Sequence, residues 1–499
     1  MFFLLLLSIL GILLAYQYFK ILSGYRFADQ IPTVRPVYPI LGHLVAFSGK
    51  SSEQAFWLTV RYFQQVDRLG KIVLGPKPFV LVNQPDLLQQ VLTRSDLHDK
   101  PFFYDFLTLG GGLITERSGE KWHHVRKLLN PTFNTRMLTN FLPIMDYRAS
   151  RMVAKLGPLA DGQTEVDIMK FIGECTLEMV FSTTMGRNAH ELPGQREYIR
   201  NLEVIQNCVG ERILNANQYL GVFYRMSIAY KIEQISRDIC NKFTDKIISE
   251  RRKELEEESE IATDEDEFKA KSLNFLDEVL MIQKRENLAF TDQDISDQLY
   301  TMMTAAHDTS ALTVANTCLF LAMNPEIQSK VLAEMNDVFH SPSVEINCDT
   351  LKQLEYTEMV IKEVLRLCPV APLVARETSE EIILDGIRIP KGQILAINFY
   401  TLHRRKDFWG ADPERFDPER FRPEECEKRH PYAYLPFSGG LRNCIGSRYA
   451  ANSMRIMLLR ILQQFELRTD LKQSDLRFKF EVTLKLTGPH RVCLMERNK

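Results

Sequence analysis

The 499-residue sequence lacks an excess of charge of either sign: 62 basic residues stand against 64 acidic ones, and the formal net charge is −2. No basic field of the kind that condenses on nucleic acid is present, so we expect no nucleic-acid partner. The nine cysteines are widely spaced and include no Cys-x-x-Cys pair. That pattern argues against a disulfide framework or a zinc ribbon and favours a reducing compartment.

Internal repeats and low-complexity tracts are also missing, which excludes collagen-like architectures. Apolar residues make up 45% of the chain and charged residues 25%, as in ordinary globular proteins. The length allows two or three domains or one large enzyme with a single core.

Only the start of the chain has the length and apolarity to cross a bilayer. Its first nineteen residues carry no charge, and as a helix they would span about 28 Å, close to the roughly 30 Å of a hydrocarbon core. A cleavable signal peptide should begin with basic residues and end at small ones, and neither is found here. Because Lys20, Arg26 and Arg35 follow, the remaining chain should face the cytosol. We predict an uncleaved membrane anchor over residues 1–22, with a removed signal peptide as the alternative.

A proline-rich segment, residues 23–45, comes next. Pro32, Pro36 and Pro39 prevent a helix there and stiffen the chain. We predict a neck that orients a catalytic domain, residues 46–499, against the membrane. An ordinary surface loop is the alternative.

The catalytic domain is predicted to be mainly α with a small β part. Apolar residues recur at helical spacing up to about residue 330, apart from a hairpin around Gly75 and Pro76. After residue 378 short strands appear, with a hairpin turn at Asp385 and Gly386. A further hairpin is expected between residues 478 and 493.

One predicted helix is unusually long. Thr291 can cap it, Asp292 and Asp294 suit its first turn, and Pro325 ends it. The helix is apolar nearly all round, so it should run through the middle of the fold. Residues 305–310, Ala-Ala-His-Asp-Thr-Ser, form a polar island inside it, and buried polar groups are costly unless satisfied or used.

The strongest local signal is the run Phe-Ser-Gly-Gly-Leu-Arg-Asn-Cys-Ile-Gly around Cys444. Gly440 and Gly446 should let the backbone turn tightly, so that amide hydrogens point at the sulfur and favour the thiolate. Phe437 can shield that sulfur, and Arg442 can pair with an acidic substituent of a planar metal cofactor. The alternative is an ordinary buried cysteine.

These five residues match every fixed position of Phe-x-x-Gly-x-Arg-x-Cys-x-Gly, the haem loop of the haem-thiolate monooxygenases, or cytochromes P-450. The resemblance extends from the anchor to about residue 490. Within the family, the motifs of this sequence are most similar to those of the fatty-acid ω-hydroxylase group and its insect relatives. It implies the cytochrome P-450 fold, preceded by the transmembrane helix, and a haem b whose iron is ligated by Cys444. Many ω-hydroxylases carry a glutamate that esterifies the haem at the position of Ala305, so the haem here is expected to be non-covalent. Ala306 replaces the family's usual glycine.

Further family motifs follow in order. Glu363 and Arg366 match the Glu-x-x-Arg helix motif, and Arg420 matches the third partner of that pair. A buried carboxylate with two guanidinium groups forms a satisfied ion network, so we assign these three residues a structural role.

The resemblance also implies three residues that hold the haem propionates. Trp122 and Arg126 match the family's Trp-x-x-x-Arg helix, in which the two side chains lie one turn apart. Arg376 matches another propionate-binding position.

The polar island takes the place of the family's oxygen-binding helix motif. Thr309 can donate a hydrogen bond back to the Ala305 carbonyl and open the helix locally. The resemblance implies that Asp308 and Thr309 are catalytic and deliver protons during oxygen activation. The alternative is that Thr309 only packs and Asp308 pairs with a basic residue. His307 is interpreted as a helix histidine that is hydrogen-bonded within the protein and is not a ligand.

The resemblance therefore implies a monooxygenase that inserts one atom of dioxygen into an apolar substrate of the fatty-acid, hormone or xenobiotic type. No flavin or nicotinamide motif occurs in the chain, so the electrons are expected from NADPH through a partner flavoprotein reductase. The expected location is the endoplasmic reticulum membrane, in contact with lipid, with a single span and the catalytic domain facing the cytosol. Two alternatives stay open: a haem-thiolate isomerase or dehydratase acting on peroxides, and a catalytically inactive haem-binding relative.

Basic residues around the cysteine loop could dock an acidic partner or form a solvated face: Lys121, Arg126, Lys127, Arg442 and Arg448.

Overall fold

The structure, a computed structural model, describes residues 25–107, 111–186, 193–214, 221–261, 274–285, 290–341 and 344–497, and the single residues Ile12, Tyr16, Tyr18 and Phe19. Apart from those four positions, the predicted anchor over residues 1–22 lies outside the described residues. None of the helices in the described part of the chain combines the length and the apolar character that a membrane span requires.

The described residues are mainly helical, as predicted. In chain order the α-helices are α1 (Leu44–Phe47), α2 (Ser52–Phe63), α3 (Pro85–Thr93), α4 (Gly119–Leu129), α5 (Thr135–Leu156), α6 (Ile168–Met185), α7 (Gln195–Leu214), α8 (Gly221–Arg225), α9 (Ile228–Ile261), α10 (Phe275–Arg285), α11 (Asp292–Met323), α12 (Pro325–Val338), α13 (Cys348–Lys352), α14 (Glu355–Leu367), α15 (Phe399–Leu402), α16 (Lys406–Trp409), α17 (Pro423–Glu427) and α18 (Ser447–Gln464). Short 3₁₀ helices lie between them, for example at Phe102–Phe106 and Pro418–Phe421.

The β part is small and divided among four sheets. Its strands are β1 (Leu69–Leu74), β2 (Lys77–Val82), β3 (Asp161–Asp167), β4 (Leu373–Glu377), β5 (Ile382–Leu384), β6 (Ile387–Ile389), β7 (Ile394–Asn398), β8 (Phe465–Arg468), β9 (Phe478–Glu481), β10 (Thr483–Leu486) and β11 (Arg491–Glu496). The sheet orders are β1-β2-β7-β4, β3-β11-β8, β5-β6 and β9-β10. Only the β2-β7 pair is parallel among these strands.

Two of the predicted hairpins are confirmed and one is confirmed in part. Strands β1 and β2 pair across Gly75 and Pro76, and β5 and β6 pair across Asp385 and Gly386. At the C-terminus β9 and β10 form a hairpin, whereas β11 leaves it to pair with β3 and β8. Long-range pairing of this kind depends on which sheet edges are free, and a local pattern does not contain that information.

The long helix α11 crosses the centre of the fold, as its apolar surface predicted. Thr291 caps it: its side chain accepts the Asp294 N–H, and the Asp294 carboxylate accepts the Thr291 N–H. The helix is buried over residues 295–303 and 310–322, whereas residues 304–309 keep accessible surface. The polar island therefore faces an internal space.

The proline-rich segment packs against the first sheet. Ile31, Val34 and His43 are buried. The Lys71 N–H donates to the Pro32 carbonyl oxygen at 2.8 Å, and the Val34 N–H donates to the Lys71 carbonyl oxygen at 3.2 Å. These contacts bind the segment to strand β1 and so hold it in one direction relative to the helices.

A buried histidine beside α11 yields a prediction about acid stability. His490 Nε2 lies 2.9 Å from Asn316 Oδ1, and burial lowers the pKa of His490 to about 4. In the unfolded chain the pKa is about 6.5, so the stabilisation is complete above that pH and is lost as the pH falls to 4. Between pH 7 and pH 4 the unfolding free energy should fall by about 3 kcal/mol less in His490→Gln than in the wild type. Urea denaturation followed by circular dichroism measures this difference, and equal losses in the two proteins would contradict the prediction.

Candidate functional site

The loop that contains Cys444 turns tightly against helix α3. The Cys444 N–H donates to the Phe437 carbonyl oxygen at 3.0 Å and closes the loop. Gly440 has a φ of +68°, and a Cβ atom there would lie 1.7 Å from the Leu92 carbonyl oxygen. Because no other residue tolerates so close an approach, glycine is required where the loop meets α3.

Gly446 acts differently from our prediction. Its φ of −88° is open to any residue, and a Cβ atom there would come no closer than 4.0 Å to Phe133. The chain turns here, but the turn does not require glycine. Instead, its amide N–H favours the ionised form of the Cys444 sulfur.

The Cys444 thiol keeps accessible surface although it lies deep in the fold. Burial raises the pKa of this thiol, while the Gly446 N–H and the Arg126 guanidinium act in the opposite direction. Because burial dominates, the protein alone does not hold Cys444 as a thiolate. A metal ion bound to the sulfur would deprotonate it.

Two buried arginines lie near this loop without enough acceptors. Arg376 is 2% exposed and Arg442 is 8% exposed. Arg376 donates to the Ala375 carbonyl oxygen at 3.0 Å, and Arg442 donates to the Glu116 carbonyl oxygen at 2.8 Å. The Nε atom of each arginine has no partner among the described residues. Such groups are costly unless an anion satisfies them.

The charges in this cluster repel one another. Burial and the neighbouring Arg376 lower the pKa of Arg442 to about 9. Burial, then Arg442 and Arg376, hold the pKa of Lys100 well below its usual value. Burial and the same two arginines also lower the pKa of His98. A bound anion would reverse these shifts, so the cluster suits a ligand with one or two carboxylates.

Trp122 and Arg126 lie one turn apart on α4 and contact the cysteine loop. The Trp122 ring is buried, and the Arg442 guanidinium lies 4.5 Å from its centroid. Arg126 donates to the Asn443 carbonyl oxygen at 2.9 Å and to Asn443 Oδ1 at 3.1 Å. Trp122 therefore supports Arg442, and Arg126 fixes the loop next to Cys444.

The predicted ion network of Glu363, Arg366 and Arg420 is present. Arg366 and Glu363 are fully buried and form a bidentate pair with two bonds of 2.7 Å. Arg420 Nε lies 3.7 Å from Glu363 Oε1, and Arg420 also donates to the Asp412 carbonyl oxygen at 2.7 Å. Arg366 additionally donates to the His403 carbonyl oxygen at 2.9 Å. The network joins α14 to the segment that leads to the loop.

On α11 the polar side chains make separate contacts. Thr309 Oγ1 donates to the Ala305 carbonyl oxygen at 2.7 Å, as predicted. His307 Nδ1 lies 3.0 Å from Thr176 Oγ1, in accordance with a satisfied helix histidine. Asp308 accepts a bond from Thr483 and pairs with Lys485, so the basic partner of the alternative interpretation is present.

The proposed docking surface needs a correction. Arg442 is buried and Arg126 is half-buried with its guanidinium bonded to Asn443, so neither offers a free charge to a partner. Lys121, Lys127 and Arg448 are exposed. Sequence reasoning assigned Arg442 both to a cofactor and to this basic surface, and its burial excludes the second role. Sequence reasoning also missed Lys100 and Lys485, which no local pattern marks.

Comparison with known proteins identifies the family. A family model described as Cytochrome P450 matches residues 32–494. The chain belongs to the cytochrome P450 family. It is 33% identical to cytochrome P450 4V2 of Homo sapiens over 476 residues, covering 94% of this chain and 90% of that protein. It is 30% identical to cytochrome P450 4c21 of Blattella germanica (95% and 94% covered) and to cytochrome P450 4d2 of Drosophila melanogaster (88% of each covered).

Membership of this family makes the protein an oxidoreductase of the monooxygenase class and implies a haem-thiolate iron cofactor. The relatives confirm the predicted similarity to the fatty-acid ω-hydroxylase group and its insect members. The residues of this cytochrome P450 fit such a cofactor, because one accessible thiol lies in a rigid loop and unsatisfied cations lie nearby.

The contact of Gly440 with Leu92 predicts which loop glycine tolerates a side chain. We expect Gly440→Ala to displace the loop and to abolish thiolate-ligated haem, because its Cβ atom would collide with backbone. Gly446→Ala should retain more of that haem, since only an ordinary contact with Phe133 results. The ferrous carbon-monoxide spectrum per folded protein measures both, and an equal loss in the two variants would refute the assignment.

The ion network predicts a large cost for removing one charge. Glu363→Gln leaves Arg366 buried without a carboxylate and should cost about 3–5 kcal/mol of unfolding free energy. Glu381, whose pair with Arg388 is exposed on both sides, is the control, and Glu381→Gln should leave stability unchanged. Chemical denaturation of both variants measures this, and similar midpoints would show that the buried pair is not required.

Proposed function

We propose that this cytochrome P450 inserts one atom of dioxygen into an apolar substrate of the fatty-acid, hormone or xenobiotic type. We further propose that NADPH supplies the electrons through a partner flavoprotein reductase. The observation that carries the proposal is the rigid loop with one accessible thiol at Cys444, beside buried and unsatisfied arginines. That combination suits a planar iron cofactor with acidic substituents.

The cofactor proposed is a non-covalent haem b, which supplies oxygen activation when it is bound. Cys444 would ligate its iron, and Phe437, Gly440 and Gly446 would shape the ligand loop. The propionates would receive hydrogen bonds from Arg376 and Arg442, whose free Nε atoms support this assignment. Trp122 would support Arg442 from beneath, and Arg126 would position the loop.

Asp308 and Thr309 are proposed as the catalytic residues. The Thr309 hydroxyl donates to the Ala305 carbonyl oxygen, one turn earlier in the same helix. Both side chains lie within the accessible stretch of α11 at residues 304–309. A carboxylate and a hydroxyl in adjacent positions can hold and pass on a proton. An isomerase or dehydratase acting on peroxides would not need them, so their presence favours the monooxygenase.

The substrate pocket is proposed at the accessible stretch of α11. We propose that residues 102–113, 204–220, 301–309 and 370–374 line it, of which residues 108–110 and 215–220 lie outside the described residues. Leu113 and Val370, which lie in these segments, are buried apolar residues. Aliphatic side chains at such positions support an apolar substrate.

We propose that the protein is anchored in the endoplasmic reticulum membrane with its catalytic domain in the cytosol. Two groups of exposed apolar side chains support contact with lipid. One lies in the proline-rich segment, where Ile40 is 69% exposed, and the other lies at the start of α9, where Ile228 is 77% and Ile235 is 61% exposed. Apolar side chains grouped on a surface mark contact sites for a membrane or a partner.

The thiolate proposal is tested by the ferrous carbon-monoxide difference spectrum of the full chain. We expect the red-shifted Soret band of thiolate-ligated haem in the wild type and in the control Cys426→Ala, since Cys426 is exposed on α17. Cys444→Ala should lack the band. A folded wild type without this band would contradict the proposal and favour the inactive relative.

Turnover then separates the enzymatic alternatives. A monooxygenase requires NADPH, a flavoprotein reductase and dioxygen to oxidise an apolar compound. Product formed from a hydroperoxide without reductase would instead support an isomerase or dehydratase. Substitution of Thr309 by Val should lower product per NADPH by about 10-fold or more, because proton transfer typically contributes 10²–10⁴-fold.

A further inference from the structure

The C-terminal hairpin presents a polar face next to helix α11. Its register pairs Thr483 with Glu481 and Lys485 with Lys479. Side chains alternate along a strand, so these four lie on one face. The opposite face is apolar, and its residues Phe478, Phe480 and Leu484 belong to the main hydrophobic core.

Two lysines stand directly opposite each other on the polar face, an arrangement that is unfavourable unless each charge is compensated. Lys479 Nζ lies 2.6 Å from Glu481 Oε1 of the same hairpin. Lys485 Nζ lies 3.5 Å from Asp308 Oδ2 on α11. The charge of Lys485 is therefore compensated by a different element, the central helix.

The carboxylate of Asp308 is held by the hairpin at two points. Asp308 Oδ2 accepts a hydrogen bond of 2.8 Å from Thr483 Oγ1 in addition to its pair with Lys485. The Asp308 side chain is 13% exposed and the Lys485 side chain 26%. The neighbouring Thr309 hydroxyl bonds to its own helix instead. In this arrangement the carboxylate is oriented by Thr483 and Lys485.

The hairpin is itself firmly placed. Val482, at its turn, has a φ of +67°, which is unfavourable for a β-branched residue and persists only where the surroundings determine it. Val482 packs against a second hydrophobic cluster, separate from the main core. The Leu484 N–H donates to the Val370 carbonyl oxygen at 2.9 Å. The polar face is thus presented to Asp308 by contacts on several sides.

We propose that Lys485 is a positioning residue for the reaction: with Thr483 it fixes the orientation of the Asp308 carboxylate and thereby the efficiency with which Asp308 passes on protons. This inference rests on the proposed function, in which Asp308 carries protons. Asp308 pairs with Lys485 of the hairpin and interacts electrostatically with His307, the preceding residue of its own helix. Burial lowers the pKa of His307, so His307 stays neutral and Lys485 supplies the positive charge.

The first test is the product formed per NADPH consumed in the full-length haem protein with reductase. Lys485→Met removes one of the two groups that hold the Asp308 carboxylate, so this ratio should fall by about 2- to 5-fold, the range expected for a partly exposed ion pair. Lys479→Met is the matched control, because Lys479 lies opposite in the same hairpin but pairs with Glu481. Neither Lys479→Met nor the conservative Lys485→Arg should lower this ratio. Equal product per NADPH for Lys485→Met and Lys479→Met would overturn the proposal.

A second readout does not depend on turnover. In a double-mutant cycle of unfolding free energies, Asp308→Asn combined with Lys485→Met should cost less than the sum of the two single changes. Asp308→Asn combined with Lys479→Met should be additive. Additive effects for both pairs would show that Lys485 does not act on Asp308.

Asp308→Asn also separates this inference from the proposed function. If Asp308→Asn slows turnover but Lys485→Met matches its control, only the role of Lys485 is refuted. If Asp308→Asn leaves turnover unchanged, the catalytic role of Asp308 fails, and the inference fails with it. If Lys485→Met lowers product per NADPH in the wild type but not in the Asp308→Asn background, the proposal is supported.

Discussion

Positive charge buried beside the cysteine loop is the constraint on which this structure depends. Arg376 from β4 and Arg442 from the loop meet within the protein, and each keeps an Nε atom without a partner in the described chain. Unsatisfied buried guanidinium groups destabilise a folded protein, so the arrangement is favourable only when an anion is bound there. The cofactor that the family implies would therefore contribute to folding as well as to catalysis. The Trp122 ring and the Gly440 contact with α3 give that charge a rigid setting.

On the other side of the site, three consecutive residues of α11 contact three different parts of the molecule. His307 bonds to α6, Asp308 to the C-terminal hairpin, and Thr309 to the backbone of its own helix. The helix is closely packed before and after this stretch. Mobility of the polar groups is thus limited by their partners, and a change in the hairpin would reach Asp308 directly. Rigid packing on the thiol side and separately held polar groups on α11 suit a site in which proton transfer has to be controlled.

Much of the fold could be predicted from local patterns, for identifiable reasons. The capping residues and apolar surface of α11 predicted both its limits and its central position, because a helix that is apolar all round has no face for solvent. The β1-β2 and β5-β6 hairpins followed from turn residues. The pairing of β11 with β3 could not be predicted, since it joins segments more than 300 residues apart and depends on free sheet edges.

The site divides in the same way. By itself the sequence determined the family, the candidate thiolate at Cys444, the Glu363–Arg366 pair and the Thr309–Ala305 bond, because each lies within a few neighbouring residues whose spacing fixes the geometry. Only the tertiary structure decided that Arg442 is buried without a partner for its Nε atom in the described chain, that Gly440 rather than Gly446 needs to be glycine for steric reasons, and that Asp308 is paired with Lys485. Those three facts arise from contacts between elements distant in the chain. Burial and charge compensation act through space, so they could be read only once the elements were packed together.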